Sequence, residues 1–463
     1  MIQNLHIKNF KTWADTGNIK LAPITILFGN NSSGKSSIAQ FIMLLKQSIT
    51  LSDPLTTLFP GNSESIVNLG LPSNLIYNRN IDNILQFSYD WSLEKPLQFN
   101  NPTGTEQYNC TKIFFEGSVK VRDKVTQSME VERFIYRLYN GENYCFSVGM
   151  EKKNVNSSKR SYQMIFDNYE AKRNTGRIWD ITPPIKFFGF PDEAIAYYQN
   201  IGFVRNLNTL QSKLFSTIFY LGPLRTRAER LYTWTGTNPI DVGSDGSNTV
   251  FALLAATSQN RMYNFKTKER LRSLDVVIAE MLMRMNLIED FKVEKIVEER
   301  QEYEVKVKTK GSSVWTDIPD VGFGVSQVMP VLVELFYAPI GATILMEQPE
   351  LHLHPNAQAA LADVMISAIK AREDAKQRNI QLIIETHSEH FLRRFQRRIA
   401  EGDIDSSQVC GYFVNTTNVP VTLEPLQIDL FGNIINWPEG FFGDIDSDIY
   451  NQAKAALRRK MDG

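Results

Sequence analysis

The chain has 463 residues, a formal net charge of -1 at pH 7 and an isoelectric point of about 6.6. This balance excludes a uniformly basic nucleic-acid-binding protein, although a local basic patch stays open. The length predicts two or three domain-sized units, or one large domain with insertions, and is ample for a large buried core.

Cysteine usage and hydrophobicity indicate a soluble protein in a reducing compartment. Cys110, Cys145 and Cys410 are far apart and form no Cys-x-x-Cys or Cys/His pattern, so neither a disulfide framework nor a zinc site is predicted. No apolar run approaches the roughly 18 residues that span a bilayer, and the N-terminus does not resemble a signal peptide. We expect a cytoplasmic location and no membrane partner.

The N-terminal part, residues 1–80, has the pattern of strands followed by a helix. Apolar Leu5 and Ile7 alternate with polar neighbours, which predicts a half-buried strand. The continuous apolar run at 24–28 predicts a buried strand, and residues 36–48 have the spacing of an amphipathic helix.

The next part, residues 81–214, is richer in aromatic residues and turns. Leu85, Phe87, Tyr89 and Trp91 alternate with polar residues, as expected of a strand with one buried face. Two further stretches alternate in the same way. We predict an antiparallel β-rich insertion, whose role the sequence does not reveal.

Residues 215–335 return to helical spacing. A broad apolar face over 267–288 predicts an amphipathic helix, and 303–309 alternates as a strand with Val305 and Val307 inward. This part is interpreted as a helical lobe.

The C-terminal part, residues 336–463, alternates strands with helices, which is typical of a mostly parallel sheet. The predicted fold class is therefore α/β, with a mostly parallel core sheet, an antiparallel β-rich insertion and a helical lobe. The expected elements are a strand over 342–347, a helix over 356–371, a strand over 380–385 and a helix over 388–400.

The segment GNNSSGKSS, residues 29–37, matches the complete pattern G-x-x-x-x-G-K-[ST]. It follows a predicted buried strand and precedes a predicted helix, which is the context that a phosphate-binding loop (P-loop) requires. Lys35 can reach the β- and γ-phosphates, and Ser36 can place its hydroxyl on Mg²⁺. A Gly/Ser loop without a ligand is the disfavoured alternative, and the lack of an NKxD-like tetrapeptide favours ATP over GTP. The nucleotide-binding candidates are Gly29, Asn30, Asn31, Ser32, Ser33, Gly34, Lys35, Ser36 and Ser37.

Three later segments complete a recognisable order: DVGFGVSQVMPVL at 320–332, ILMEQPELHLHP at 344–355 and QLIIETHSEHF at 381–391. With the P-loop they resemble ABC-type ATPases of the chromosome-maintenance, recombination and repair kind (SMC/RecF-like). The resemblance implies that the first segment is a signature motif, which contacts the γ-phosphate of the nucleotide held by the opposite subunit. It also implies a Mg²⁺-side carboxylate and a switch histidine. The residues so implied are Gly324, Ser326, Gln327, Glu347 and His387.

Within that family the chain looks like one branch, the overcoming-lysogenization-defect (OLD-like) ATPases and relatives termed AAA15 or AAA21. EQPELHLHP, ETHSEHFLRRFQRRIAEG and NIINWPEGFF resemble proteins with a DUF3696 tail. The resemblance covers roughly residues 1–80 and 215–445, and leaves the β-rich part between them unassigned.

One departure from the family bears on hydrolysis. Relatives end the acidic strand with Asp-Glu, whereas this chain has Glu347-Gln348. Glutamine can orient water but cannot accept a proton, and a general base typically contributes about 10²–10⁴-fold. We therefore predict ATP binding with slow or conditional hydrolysis. Gln348 and Glu350 remain alternative residues for positioning the attacking water.

A signature motif that acts on the opposite subunit implies a homo-oligomer, at least a dimer, in which ATP binding and assembly are coupled. In this branch such ATPases are often one half of an anti-phage defence system. The resemblance points first to PARIS-type and next to Septu-type systems, with a Toprim- or HNH-type nuclease as the effector in trans and a phage protein as a possible trigger.

Two other functions were weighed. The first is a SMC/RecF-like ATPase that acts directly on DNA in repair or recombination, for which the arginines of FLRRFQRRI and the cluster Arg225, Arg227 and Arg230 are candidate contacts. The second, a transporter motor, is disfavoured because the chain lacks LSGGQ. The acidic cluster Asp444, Asp446 and Asp448 is interpreted as a helix cap in preference to a metal site.

Overall fold

The structure, a computed structural model, describes residues 1–122, 125–153, 161–176, 180–438 and 445–461, with the backbone alone at 445–449 and 461. In chain order the strands are β1 Ile2–Phe10, β2 Trp13–Lys20, β3 Ile24–Gly29, β4 Leu85–Asn100, β5 Gln107–Val121, β6 Met129–Asn140, β7 Asn143–Lys152, β8 Tyr162–Asp167, β9 Ile218–Leu221, β10 Tyr232–Thr233, β11 Met262–Asn264, β12 Arg272–Ser273, β13 Asp290–Lys295, β14 Glu302–Lys308, β15 Trp315–Asp317, β16 Thr343–Glu347, β17 Arg372–Glu373, β18 Lys376–Gln377, β19 Gln381–Glu385, β20 Val409–Asn415 and β21 Thr422–Leu426.

The α-helices of the described residues lie before residue 80 and after residue 190. They are α1 Lys35–Thr50, α2 Pro72–Leu75, α3 Asp192–Ala196, α4 Val204–Ser216, α5 Thr249–Ser258, α6 Leu274–Arg284, α7 Phe323–Tyr337, α8 Pro355–Lys370, α9 Glu389–Ala400 and α10 Ile445–Met461. No described helix is long and apolar enough to cross a membrane. The predicted acidic cluster Asp444, Asp446 and Asp448 lies outside the residues whose side chains are described.

The centre of the molecule is a six-stranded sheet of order β21-β20-β3-β19-β16-β9. Its strands pair in parallel except for β20 with β21. The predicted α/β class with a mostly parallel core sheet is confirmed. Parallel strands that carry helices on both faces are buried on both sides, which explains why β3, β16 and β19 are continuous apolar runs.

Alternate residues of these strands enter two different hydrophobic cores. Ile344 and Met346 of β16 pack in the core formed with α5 to α9. Leu345, between them, packs in the core formed with α1, α4 and the antiparallel sheet. The period of two along each strand therefore attaches both halves of the molecule to one sheet.

The second large sheet is antiparallel, with seven strands in the order β2-β1-β4-β5-β6-β7-β8. The β-rich character predicted for 81–214 is therefore observed, but its strands continue a sheet that starts at the N-terminus. Leu5 of β1 pairs with Tyr89 of β4, so the sheet is continuous across the boundary placed between residues 80 and 81. The division of the chain into four domains stays a prediction.

The predicted helix over 267–288 is wrong at both ends. The helix is α6, Leu274–Arg284, because Arg272 and Ser273 pair with β11 and Asn286 adopts a left-handed φ of 63° just after it. The adjacent strand prediction holds, since Val305 and Val307 of β14 are buried.

Candidate functional site

The P-loop joins β3 to α1 and has the backbone of an anion-binding turn. Gly29, Ser32 and Gly34 all have positive φ, at 146°, 58° and 104°. Lys35 folds back over the loop, where its ammonium donates to the carbonyl oxygens of Gly29 at 3.0 Å and Asn30 at 2.7 Å. The predicted loop is therefore formed, and its lysine is held by the loop itself.

The turn between β1 and β2 packs directly on the P-loop. The indole Nε1 of Trp13 donates to the Gly34 carbonyl at 3.1 Å, and a Cβ added to Gly34 would collide with the Thr12 hydroxyl. Glycine is required at 34 by both the positive φ and this close approach. Nothing in the motif had indicated that residues 11–13 form a wall of the site.

A carboxylate stands opposite Lys35 and Ser36. Glu385, the last residue of β19, accepts a hydrogen bond from the Ser36 hydroxyl at 3.0 Å and lies 3.9 Å from the Lys35 ammonium. Its second oxygen, Oε2, is buried without a partner in the described chain. Burial raises the pKa of Glu385, and the Ser36 hydrogen bond and the Lys35 charge oppose that rise.

Glu347 ends the neighbouring strand, β16, and is in register with Glu385. The Tyr220 hydroxyl of β9 donates to its Oε1 at 2.9 Å. Burial, and then the charge of Glu385, raises the pKa of Glu347 to about 7. Two buried carboxylates side by side repel each other, so a cation between them is favoured.

These oxygens fit Mg²⁺. The cation is commonly held by one or two carboxylates together with substrate phosphates and water. Ser36, Glu347 and the unpredicted Glu385 lie together beside the P-loop and would hold the cation, and Glu385 has an unused buried oxygen. In the part of the chain that the structure describes, no group of three His, Cys, Asp or Glu residues forms a metal cage.

The turn after β16 carries Gln348 and Glu350 in different environments. Gln348 is partly exposed with a φ of 45°, and its backbone N–H donates to the backbone carbonyl of Glu385 at 2.8 Å. Glu350 is buried; its Oε1 accepts from the Thr386 hydroxyl at 2.6 Å and from the His387 amide at 3.0 Å. Glu350 therefore anchors the backbone that leads from β19 to His387.

His387 follows β19 at the same edge of the sheet and is partly exposed. Burial, and then the positive charge of Lys35, lowers the pKa of the imidazole below its usual value. The ring is consequently neutral at pH 7, and a neutral imidazole can donate a hydrogen bond from one nitrogen while accepting at the other.

The signature residues lie elsewhere. Ser326, in the first turn of α7, donates to the Phe323 carbonyl at 2.9 Å. It lines a cavity of about 260 Å³ together with residues of 226–232, 246–251 and 329–330, and no P-loop residue borders that cavity. Gly324 lies against the backbone of His352. The structure therefore brings the P-loop, Glu347, Glu350 and His387 together, and Ser326 lines a cavity that none of them borders.

Arg225, which the sequence left unassigned, is buried between the two groups. Its guanidinium donates to the carbonyl oxygens of Gln327 at 3.0 Å and Gln348 at 3.2 Å. Burial lowers its pKa to about 10, so it stays charged at neutral pH. Arg230, five residues on, is instead exposed and pairs with Asp317 and Asp320.

Fold and site together define a P-loop nucleotide-binding protein of the α/β class. The family model AAA_15, described as an AAA ATPase domain, matches residues 1–392, and the chain belongs to this family of ATPases. Residues 404–452 match DUF3696, a protein of unknown function. The comparison with curated proteins found no match.

Solved structures similar to this chain are SMC head domains. One is an SMC head bound to the C-terminal winged-helix domain of ScpA, with a TM-score of 0.41, 11% identity and coverage of 93% of this chain and 98% of that one. The SMC head domain from Thermotoga maritima has a TM-score of 0.38 and 8% identity, with coverage of 92% of this chain and 99% of that one. An SMC head with an extended coiled coil, bound to the C-terminal domain of ScpA from Pyrococcus furiosus, gives 0.41, 11%, 92% and 96%. At TM-scores this low the similarity carries no argument about function.

The raised pKa of Glu347 makes stability depend on pH. Between the ordinary value of 4.5 and about 7 the folded protein holds a proton that the unfolded chain releases, so this residue's contribution to stability declines as pH rises through that window. The substitution Glu347→Gln removes this titrating carboxyl group and therefore removes the decline. We expect the variant to gain about 2.5 kcal/mol on the wild type between pH 5 and pH 8, measured by urea unfolding of the nucleotide-free protein.

Glu389→Gln is the matched control, since that carboxylate lies outside the cluster and pairs with Arg393. Its stability should follow the wild type across the same pH range. A constant difference between Glu347→Gln and the wild type at all pH values would contradict the assignment.

Proposed function

We propose that the protein binds ATP with Mg²⁺ between two copies of the chain and uses nucleotide state to control assembly. The observation that carries the proposal is the separation within one chain of two half-sites. Lys35, Ser36 and two carboxylates form one of them, while Ser326 lines a cavity that no P-loop residue borders. Two chains facing each other would place each Ser326 opposite the other chain's P-loop.

The start of α7 is suited to such a role. Gly322 and Phe323 are exposed, so the N-terminus of this 15-residue helix faces outward. The free N–H groups and the dipole of a helix N-terminus favour a phosphate. The family resemblance assigns this segment to the γ-phosphate of the opposite subunit, and the outward direction supports that assignment.

Nucleotide binding would rearrange the P-loop half-site. Lys35 would exchange the carbonyl oxygens of Gly29 and Asn30 for phosphate oxygens, and Ser36 would exchange Glu385 for the metal. Mg²⁺, when bound, neutralises charge on the phosphates. Glu347 and Glu385 would hold the metal side of the site, and neutral His387 would donate to the γ-phosphate.

Slow hydrolysis follows from the turn after β16. Gln348 is partly exposed but has no proton-accepting group, and Glu350 is buried with one oxygen already bonded to Thr386 and His387. Gln348 is therefore proposed to position the attacking water, and Glu350 to position His387. Without a general base the bound state is long-lived, which suits a switch better than a motor.

We propose that the switch acts on an effector supplied in trans, a nuclease of the Toprim or HNH type, in anti-phage defence. This step rests on the family resemblance alone. Direct action on DNA is less well supported, because the arginines of α9 are occupied within the chain. Arg393 pairs with Glu389, Arg397 with Glu401, and Arg394 and Arg398 both with Asp363.

Complementation of two inactive variants tests the shared site. Lys35→Ala removes the P-loop cation, and Ser326→Arg blocks the signature, so each homo-oligomer should lose ATP-driven dimerisation and hydrolysis. In a mixture, the intact Lys35 of one variant faces the intact Ser326 of the other, and one site in each mixed dimer is complete. We expect the equimolar mixture to recover up to about a quarter of wild-type phosphate release, because half of the dimers are mixed and each has one intact site.

Ser36→Ala mixed with Lys35→Ala is the control, because both changes fall on the P-loop half-site and no complete site can form. An inactive mixture of Lys35→Ala and Ser326→Arg, with both variants folded, would show that Ser326 does not act on the partner's nucleotide.

Restoring the missing carboxylate tests the hydrolysis assignment. Gln348→Glu should raise kcat at least about 10-fold, since a general base typically contributes about 10²–10⁴-fold. Steady-state phosphate release measures the change, and Gln301→Glu, at an exposed position just before β14, is the matched substitution outside the site. An unchanged kcat in Gln348→Glu together with an inactive Glu350→Ala would transfer the role to Glu350.

Copurification from the native operon tests the effector. We expect a nuclease to bind the tagged wild-type protein and to change in amount with Lys35→Ala. If recombination proteins copurify in its place, and duplex DNA binds in a salt-sensitive, ATP-dependent manner, the direct DNA function is correct.

A further inference from the structure

We propose that Arg225 is a positioning residue that couples occupancy of the chain's own P-loop to the position of the signature helix, and so to the nucleotide of the partner. The inference rests on the proposed two-chain site and adds a route by which the two sites of a dimer communicate. Its basis is a single buried guanidinium that bridges the two half-sites.

The first link joins the signature to the turn after β16. Arg225 is 9% exposed, and its two terminal nitrogens donate to the carbonyl oxygens of Gln327 and Gln348. Gln327 follows Ser326 directly, so a movement of the Gln348 carbonyl is carried to the residue that faces the partner. The carbonyls belong to segments about 20 residues apart along the chain, and the same two segments also meet where the rings of Phe323 and His352 pack edge to face.

The second link joins that turn to the P-loop. The backbone N–H of Gln348 donates to the backbone carbonyl of Glu385. The side-chain carboxylate of Glu385 accepts a hydrogen bond from the Ser36 hydroxyl. When nucleotide takes Ser36 from Glu385, the end of β19 loses a contact, and the change reaches Gln348 through one backbone hydrogen bond. The series of contacts from Ser36 to Ser326 therefore consists of direct hydrogen bonds and of residues adjacent in sequence.

The junction has unused hydrogen-bonding capacity of both kinds. Arg225 Nε and Gln327 Nε2 are buried donors, and Glu350 Oε2 is a buried acceptor; none has a hydrogen-bond partner in the described chain. Buried polar groups are normally paired. A small shift that pairs these atoms would create a second stable arrangement, which is the two-state element that coupling between sites requires.

Arginine is specifically suited to this bridge. A planar guanidinium presents donors in a rigid fork and can hold two carbonyls at once, whereas the compact ammonium of lysine is a single point charge on a flexible stem. Arg225→Lys therefore keeps the buried charge beside Glu350 and breaks the bridge. Arg230→Lys is the matched control in the same segment, because Arg230 pairs with surface carboxylates.

The experiment compares both variants with the wild type by fluorescent ATP binding to the single chain and by ATP-driven dimerisation in the ultracentrifuge. We expect ATP affinity to stay within about 2-fold in both. The Hill coefficient for ATP in the dimerisation experiment should be near 2, the number of sites, in the wild type and in Arg230→Lys. It should fall to about 1 in Arg225→Lys. A wild-type Hill coefficient in Arg225→Lys would overturn the inference. A wild type that does not dimerise with ATP would instead refute the proposed function.

Hydrogen exchange provides a readout that needs no dimer. In the Ser326→Arg background, which blocks the partner contact, Mg²⁺ and ATP should change amide exchange at residues 323–328 by at least about 3-fold. Adding Arg225→Lys should abolish that change while ATP binding persists. Unaltered exchange at 323–328 in the Ser326→Arg protein with saturating ATP would also overturn the inference.

Discussion

The site depends on one constraint, the parallel register of β3, β19 and β16. Parallel strands that start together end at the same edge, and ligands of open α/β sheets bind beyond that edge. The register places Glu347 beside Glu385 and aligns Glu385 with Leu27 near the end of β3, just before the P-loop. A shift by one residue would turn both carboxylates into the hydrophobic cores.

The elements that could be predicted from sequence are those with a local signal. The P-loop follows from its own nine residues, and β16 and β19 follow from short apolar runs that end in a polar residue. Helix α6 was drawn too long because its apolar spacing continues past Asn286, where backbone conformation and not hydrophobicity ends the helix. Periodicity reports which face is buried and contains no information on left-handed residues.

Residues that depend on pairing between distant strands could not be found in the same way. Tyr220 reaches Glu347 only because β9 pairs with β16, and Trp13 reaches Gly34 only because the first hairpin packs on the P-loop. Glu385 directly precedes Thr386-His387 in the sequence and ends an apolar run, as Glu347 does. A comparison of the two predicted strands would have identified it. Arg225 needed the structure, since nothing local distinguishes it from Arg230.

One chain contains the P-loop with its carboxylates, the α7 segment that is proposed to act on a partner's nucleotide, and a buried arginine between them. The P-loop half-site is occupied internally, with Lys35 on loop carbonyls and Ser36 on Glu385. Under the proposed function, Gln348 in place of the usual base would prolong the nucleotide-bound state, and a long-lived bound state is what a regulated assembly needs. On the proposed function, this arrangement suits switching better than continuous turnover.

The most direct measurement is a structure of the protein with Mg²⁺ and a non-hydrolysable ATP analogue. The account predicts a dimer in which each γ-phosphate is contacted by Lys35 of one chain and Ser326 of the other, within about 3 Å as for any hydrogen bond. The account would be contradicted by a structure in which the analogue is bound to the P-loop but Ser326 contacts no phosphate, whether the protein is a monomer or a dimer.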